Sequence, residues 1–135
     1  MNNLTTEQLR EHILQELNKI NISQINNYYF EKNNAGGREG TYVYSDSQGY
    51  HYVYSEKGNE SKHKITDNVF DVSFWVIDSV ISSLAIDYMR KNIQPGENQR
   101  KVIFAKELEL LKEIGENYYK AGEIEIDEIL KENPL

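Results

Sequence analysis

The sequence predicts an α+β fold: four helices, one of them long and central, packed with a small antiparallel sheet of two or three strands. Three observations predict it. Residues 66–92, TDNVFDVSFWVIDSVISSLAIDYMRKN, are the most apolar run of the chain, with Phe70, Phe74, Ile77, Ile81, Leu84 and Tyr88 at steps of three or four. Residues 41–55, TYVYSDSQGYHYVYS, alternate on either side of a turn, as a hairpin does. Residues 4–20 and 97–118 repeat an amphipathic helical period. At 135 residues, one domain over 1–135 is expected, long enough to bury a core without disulfides or metals.

In chain order, Thr5 and Gln8 form a capping box for the first helix, whose stripe is Leu9, Ile13, Leu17 and Ile20. The aromatic stretch at 25–32 suits a strand, and NNAGGREG at 33–40 is a loop that matches no phosphate-binding or dinucleotide pattern. In the hairpin, Asp46-Ser47-Gln48-Gly49 suits a type I turn with a glycine bulge, so a three-residue loop at 47–49 is expected. That register sets Tyr44 opposite Tyr52 and Tyr42 opposite Tyr54. Tyr42, Tyr44, Tyr50, Tyr52 and Tyr54 then share one side. The rings either cover the central helix or form an exposed recognition surface.

Residues 56–65 are expected as a polar connection carrying the one local basic cluster, Lys62, His63 and Lys64. Thr66, Asp67 or Asn68 then caps the central helix, with Asp71 in its first turn and Arg90 and Lys91 in its last, where the helix dipole favours them. Asp71, Trp75, Asp78 and Ser82 make its polar stripe; Trp75 reads as core or half-core. Asp78, flanked by apolar residues, needs a partner, and Arg100 is the candidate for a structural polar pair. Pro95-Gly96 turns the chain into the third helix over 97–118. Gly122 is expected as a stop, and a short last helix around Ile126, Ile129 and Leu130 ends before Pro134. The expected core is Leu9, Ile13, Leu17, Phe70, Phe74, Ile77, Ile81, Leu84, Phe104, Leu108, Leu111 and Ile129.

The net charge of −7 argues against nucleic-acid binding, which needs a basic face, and suits a basic protein partner. Residues 97–135 hold 6 basic and 10 acidic side chains, so the acidic excess concentrates there. The N-terminal residues lack the pattern of a signal peptide, and the aspartates of residues 66–92 make it a poor membrane span. A cytoplasmic protein with no membrane association is expected. There is no cysteine, and His12, His51 and His63 stand in unrelated contexts with no metal spacing. No catalytic motif, cofactor site or metal site is expected, and the enzyme reading would require Asp78, Arg100 and His51 to meet in one pocket.

YHYVYSEKG (50–58), the run at 66–92, ENQRKVIFAKELELLKEI and the closing EIDEILKENP come in an order and spacing that resemble the immunity protein 63 family of bacterial polymorphic toxin systems. Glu97 and Lys101 stand where that family's pattern favours an aspartate and a second arginine around Arg100. The resemblance implies a non-enzymatic protein that binds and neutralises a cognate toxin domain by stoichiometric occlusion. The acidic balance then points to a basic, nuclease-like toxin. Tyr42, Tyr44, Tyr50, His51, Tyr52 and Tyr54 are the candidate toxin contacts. The alternative is a small regulatory or adaptor module that binds a host protein or peptide through the tyrosine-rich hairpin.

Overall fold

The computed structural model describes residues 3–32, 37–57 and 59–135. Its elements are α1 (Thr6–Asn18), β1 (Tyr28–Tyr29), β2 (Gly40–Asp46), β3 (Gly49–Glu56), β4 (Asn59–Thr66), α2 (Val69–Asn92), α3 (Gln99–Ile114) and α4 (Glu116–Glu132). The α+β class with four helices holds. The chain divides into two compact units, residues 1–76 and 77–135, and α2 contributes to both.

In the first unit α1 opens on the expected capping box of Thr5 and Gln8 and buries Leu9, Ile13 and Leu17. The sheet has four strands in the order β1-β2-β3-β4, not two or three. It is mixed rather than purely antiparallel, because the two-residue β1 runs parallel to β2. The larger correction is β4. Residues 59–66 pair with β3 across its length, where the sequence suggested a polar connection. Polar side chains on both faces hide the alternation that identifies a half-buried strand, and lysines are what a sheet edge carries to discourage further pairing. Gly40 makes the entry to β2 possible. It has φ +141°, and a Cβ there would stand 2.6 Å from the Asn27 carbonyl oxygen.

Asn68 is the residue that caps α2: its Oδ1 accepts from the backbone N–H of Phe70 (2.8 Å) and Asp71 (3.3 Å). Thr66 Oγ1 braces the same turn, accepting from Asn68 N–H and donating to Asp71 Oδ2. Helix α2 has the length and hydropathy of a membrane span. Asp71, Asp78 and Asp87 lie along it, however, and Val72, Phe74, Val76, Ile77, Ile81 and Ala85 are buried, the pattern of a core helix. Its buried stripe runs through Ala85 and Met89, so Leu84 and Tyr88 are exposed. Bulk favoured Leu84 on the page, but the small Ala85 is the residue turned inward.

In the second unit α3 ends at Ile114. One extended residue, Gly115, joins it to a 17-residue α4, so Gly122 lies within a helix rather than stopping one. The inner stripe of α4 is Tyr118, Gly122 and Ile126, which leaves Ile129 exposed rather than core. Phe70, Phe104 and Leu108, also expected in the core, are half-buried. A Cβ on Gly122 would collide with Leu111 Cδ1 and crowd Leu108. The absent side chain lets α3 and α4 approach closely, and it sets their register.

Candidate functional site

The hairpin of β2 and β3 turns through two residues, not three. Asp46 pairs with Gly49, and Asp46 Oδ1 accepts from Gln48 N–H at 2.9 Å, an aspartate turn that closes the bend. Gly49 has φ +132° and no room for a Cβ beside the Thr66 carbonyl. One residue fewer in the loop slips the whole register. Tyr44 lies opposite His51, Tyr42 opposite Val53, and Val43 opposite Tyr52. Side chains alternate with period two, so the five tyrosines do not share one side. Tyr42 and Tyr44 take one face with His51 and Val53, and Tyr50, Tyr52 and Tyr54 take the other.

The two faces differ in use. On the first, Tyr42, Tyr44 and Val53 form a buried cluster with Tyr29 packed on it. The Tyr29 and Tyr42 rings are 5.1 Å apart, the Arg38 guanidinium lies 3.8 Å over Tyr29, and the Tyr42 hydroxyl donates to the Arg38 carbonyl. On the second face, Tyr50 is buried, and its hydroxyl accepts from Leu4 N–H at 2.8 Å. Ser45 N–H donates to Thr6 Oγ1, which ties α1 to β2 beside it. Of the six candidate contacts, Tyr42, Tyr44, Tyr50 and His51 are therefore buried, Tyr52 is half-buried and Tyr54 is 38% exposed.

Strand β4 assembles a chain of side chains from His51 and His63, residues that the sequence left in unrelated contexts. His51 Nε2 lies 2.8 Å from Asp46 Oδ1, and His51 Nδ1 lies 2.9 Å from His63 Nε2. His63 Nδ1 in turn is 3.5 Å from Glu60 Oε2. A carboxylate only accepts, so His51 Nε2 carries a hydrogen. With His51 neutral, its Nδ1 accepts from His63 Nε2–H. Tyr44 stacks flat on His51 at 4.4 Å. Burial works against the Asp46 carboxylate, but hydrogen bonds from His51 and from the Gln48 and Gly49 N–H groups outweigh it and hold its pKa below the ordinary value. Burial, with the charges of Asp46 and Glu60, pushes the Tyr44 hydroxyl up.

On the opposite face Tyr52 meets the edge of Trp75, with ring centroids 6.1 Å apart. The Lys64 ammonium is 4.2 Å from the Trp75 centroid and 5.7 Å from that of Tyr52. Cross-strand pairing sets Lys64 opposite Tyr52 and Lys62 opposite Tyr54. A row of rings on β3 thus lies beside a row of ammonium groups on the edge strand β4, with Trp75 of α2 at one end.

Arg100 stands elsewhere. Its guanidinium donates to the carbonyls of Asn133 (2.6 Å) and Pro134 (3.3 Å), closing the C-terminal end of α4. The α3 side chain that faces the polar stripe of α2 is Glu107, hydrogen-bonded to Ser82. Asp78 is half-buried with contacts of its own. Burial raises the Glu107 pKa, the Ser82 hydrogen bond opposes this, and repulsion from Glu125 adds to it. A groove of about 650 Å³ in the second unit is lined by Tyr88, Asn98, Lys101, Val102 and Lys106 among others, and includes none of Asp78, Arg100 and His51. No group of three or more metal-ligating side chains occurs among the described residues.

No curated protein and no solved structure matches the chain. The family model of immunity protein 63 matches residues 46–128, a span that runs from the hairpin turn into the last helix. The chain therefore belongs to the immunity protein 63 family, and is an immunity protein of a bacterial toxin system.

Proposed function

We propose that this protein works in the cytoplasm by binding its cognate toxin one to one and covering the surface the toxin needs, with no bond-making of its own, and that the toxin is basic and nuclease-like. The observation that carries this reading is the family match over 46–128, which contains β3, β4, α2 and α3 entire. The net charge of −7 supports the basic toxin, since a negative surface speeds encounter with a positive one. Affinity in such complexes comes from a few anchors of tryptophan, tyrosine and arginine type, surrounded by contacts that exclude water. The strip of Trp75 on α2 with Tyr52 and Tyr54 on β3 supplies residues of that type.

The test is co-expression with the product of the neighbouring gene, which this reading expects to be the toxin. A one-to-one complex on size exclusion and restored growth of the host are expected. Intact toxin activity in the presence of a molar excess of folded protein rejects the reading.

A further inference from the structure

We propose that the strip formed by Trp75, Lys64, Tyr52, Lys62 and Tyr54 is the toxin-docking surface, and that its occupant is a toxin segment presenting a carboxylate between apolar side chains. This rests on the reading of the chain as a toxin-binding inhibitor.

Three features single out the strip. First, its rings are neither core nor free decoration. Tyr52 and Trp75 are half-buried and Tyr54 is 38% exposed, so each is anchored by one edge and offers the other. The rings of the opposite face are closed off, with Tyr42 at 2% and Tyr44 at 7% exposure. Second, Lys64 is already held over Trp75 and Tyr52. A side chain ordered before binding loses less entropy on binding. Third, β4 brings two cations to the strip in a chain that is acidic as a whole. In a chain of net charge −7, the strip sets Lys62 and Lys64 at alternate positions of β4, on one face. Lys62 forms no ion pair among the described residues. The exposed ammonium group of Lys62, across from Tyr54 on the neighbouring strand, is complemented by a carboxylate. The acidic surface as a whole attracts a basic protein, and the strip offers a place on it where an acidic side chain fits. Long-range steering and local registration are thereby assigned to different parts of the chain.

The experiment is calorimetric titration of the purified product of that neighbouring gene with the full-length chain, Lys62→Glu, Lys62→Gln, Tyr54→Ser and, as a control on α4, Lys131→Glu. The expected result is one-to-one binding by the wild type. Lys62→Glu and Tyr54→Ser should each weaken binding by at least about 30-fold with the melting temperature unchanged. Lys62→Gln should fall between wild type and Lys62→Glu, and Lys131→Glu within about threefold of wild type. Wild-type binding together with a folded Lys62→Glu variant that binds within about threefold overturns the strip and leaves the toxin-binding reading standing. Failure of the wild type to bind overturns both. If Tyr54→Ser melts early, the exposed Lys62 pair of variants decides alone.

Discussion

In residues 1–76 a buried histidine, His51, is fixed by directed bonds between the exposed Asp46 and His63, with a tyrosine stacked on it. In residues 77–135 the contact that sets the helix register is a missing side chain at Gly122, and the buried carboxylate, Glu107, faces a serine and a second acid. The first unit is held by direction and the second by shape. Directed bonds fix where each exposed neighbour stands, which is what a recognition surface needs. Shape packing tolerates polar imperfection as long as the backbones meet.

The sharpest way to break the shape half is Gly122→Val. The new branched side chain drives into Leu111, and a loss of about 3 kcal/mol is expected in urea denaturation. A smaller effect is expected from breaking the directed half with His51→Phe. The ring is kept, but Asp46 and His63 each lose a partner, at a cost of about 2 kcal/mol. Smaller again is Glu107→Gln, which removes a desolvated charge and should raise the melting temperature at pH 7 by roughly 3 °C, the equivalent of about 1 kcal/mol in a domain of this size. The smallest is Arg100→Lys, which gives up the fork on Asn133 and Pro134 for a single ammonium and costs about 0.5 kcal/mol.

Acid separates the two halves by sign. The Asp46 pKa is lowered on folding, so its stabilisation is present above the unfolded aspartate value of about 3.9 and is lost as pH falls through the folded value. The Glu107 pKa is raised, so its contribution is full below the unfolded glutamate value of about 4.3 and is lost as pH rises through the folded value. The advantage of Glu107→Gln should therefore vanish in melts near pH 4. An advantage that persists there would show that the charge of Glu107 is not its cause.

The first two helices and the capping box of the first were legible in the sequence because periodicity and capping chemistry are local. Thr5 with Gln8, the stripe Leu9–Ile13–Leu17 and the apolar run of α2 needed no tertiary information. The sheet was legible only in part. A single residue of turn length, Ser47-Gln48 instead of 47–49, moved every tyrosine pairing by one position. β4 was missed because an edge strand is polar on both sides, and with it went the approach of His51 to His63. Gly122 reads as a stop in one dimension and as a crossing point in three. The partners of Arg100 lie more than thirty residues away, and they became visible only once α4 was seen to run to Glu132.

The imidazole hydrogen between His51 and Asp46 is shielded by a ring that is almost wholly enclosed. The other nitrogen of that ring meets His63 of β4, so the proton resonance shifts when β4 parts from β3 and serves as a native reporter of that pairing. Seen without labels or engineered dyes, that one signal would follow the sheet through complex formation, and the change in its position would time the moment the edge strand lets go.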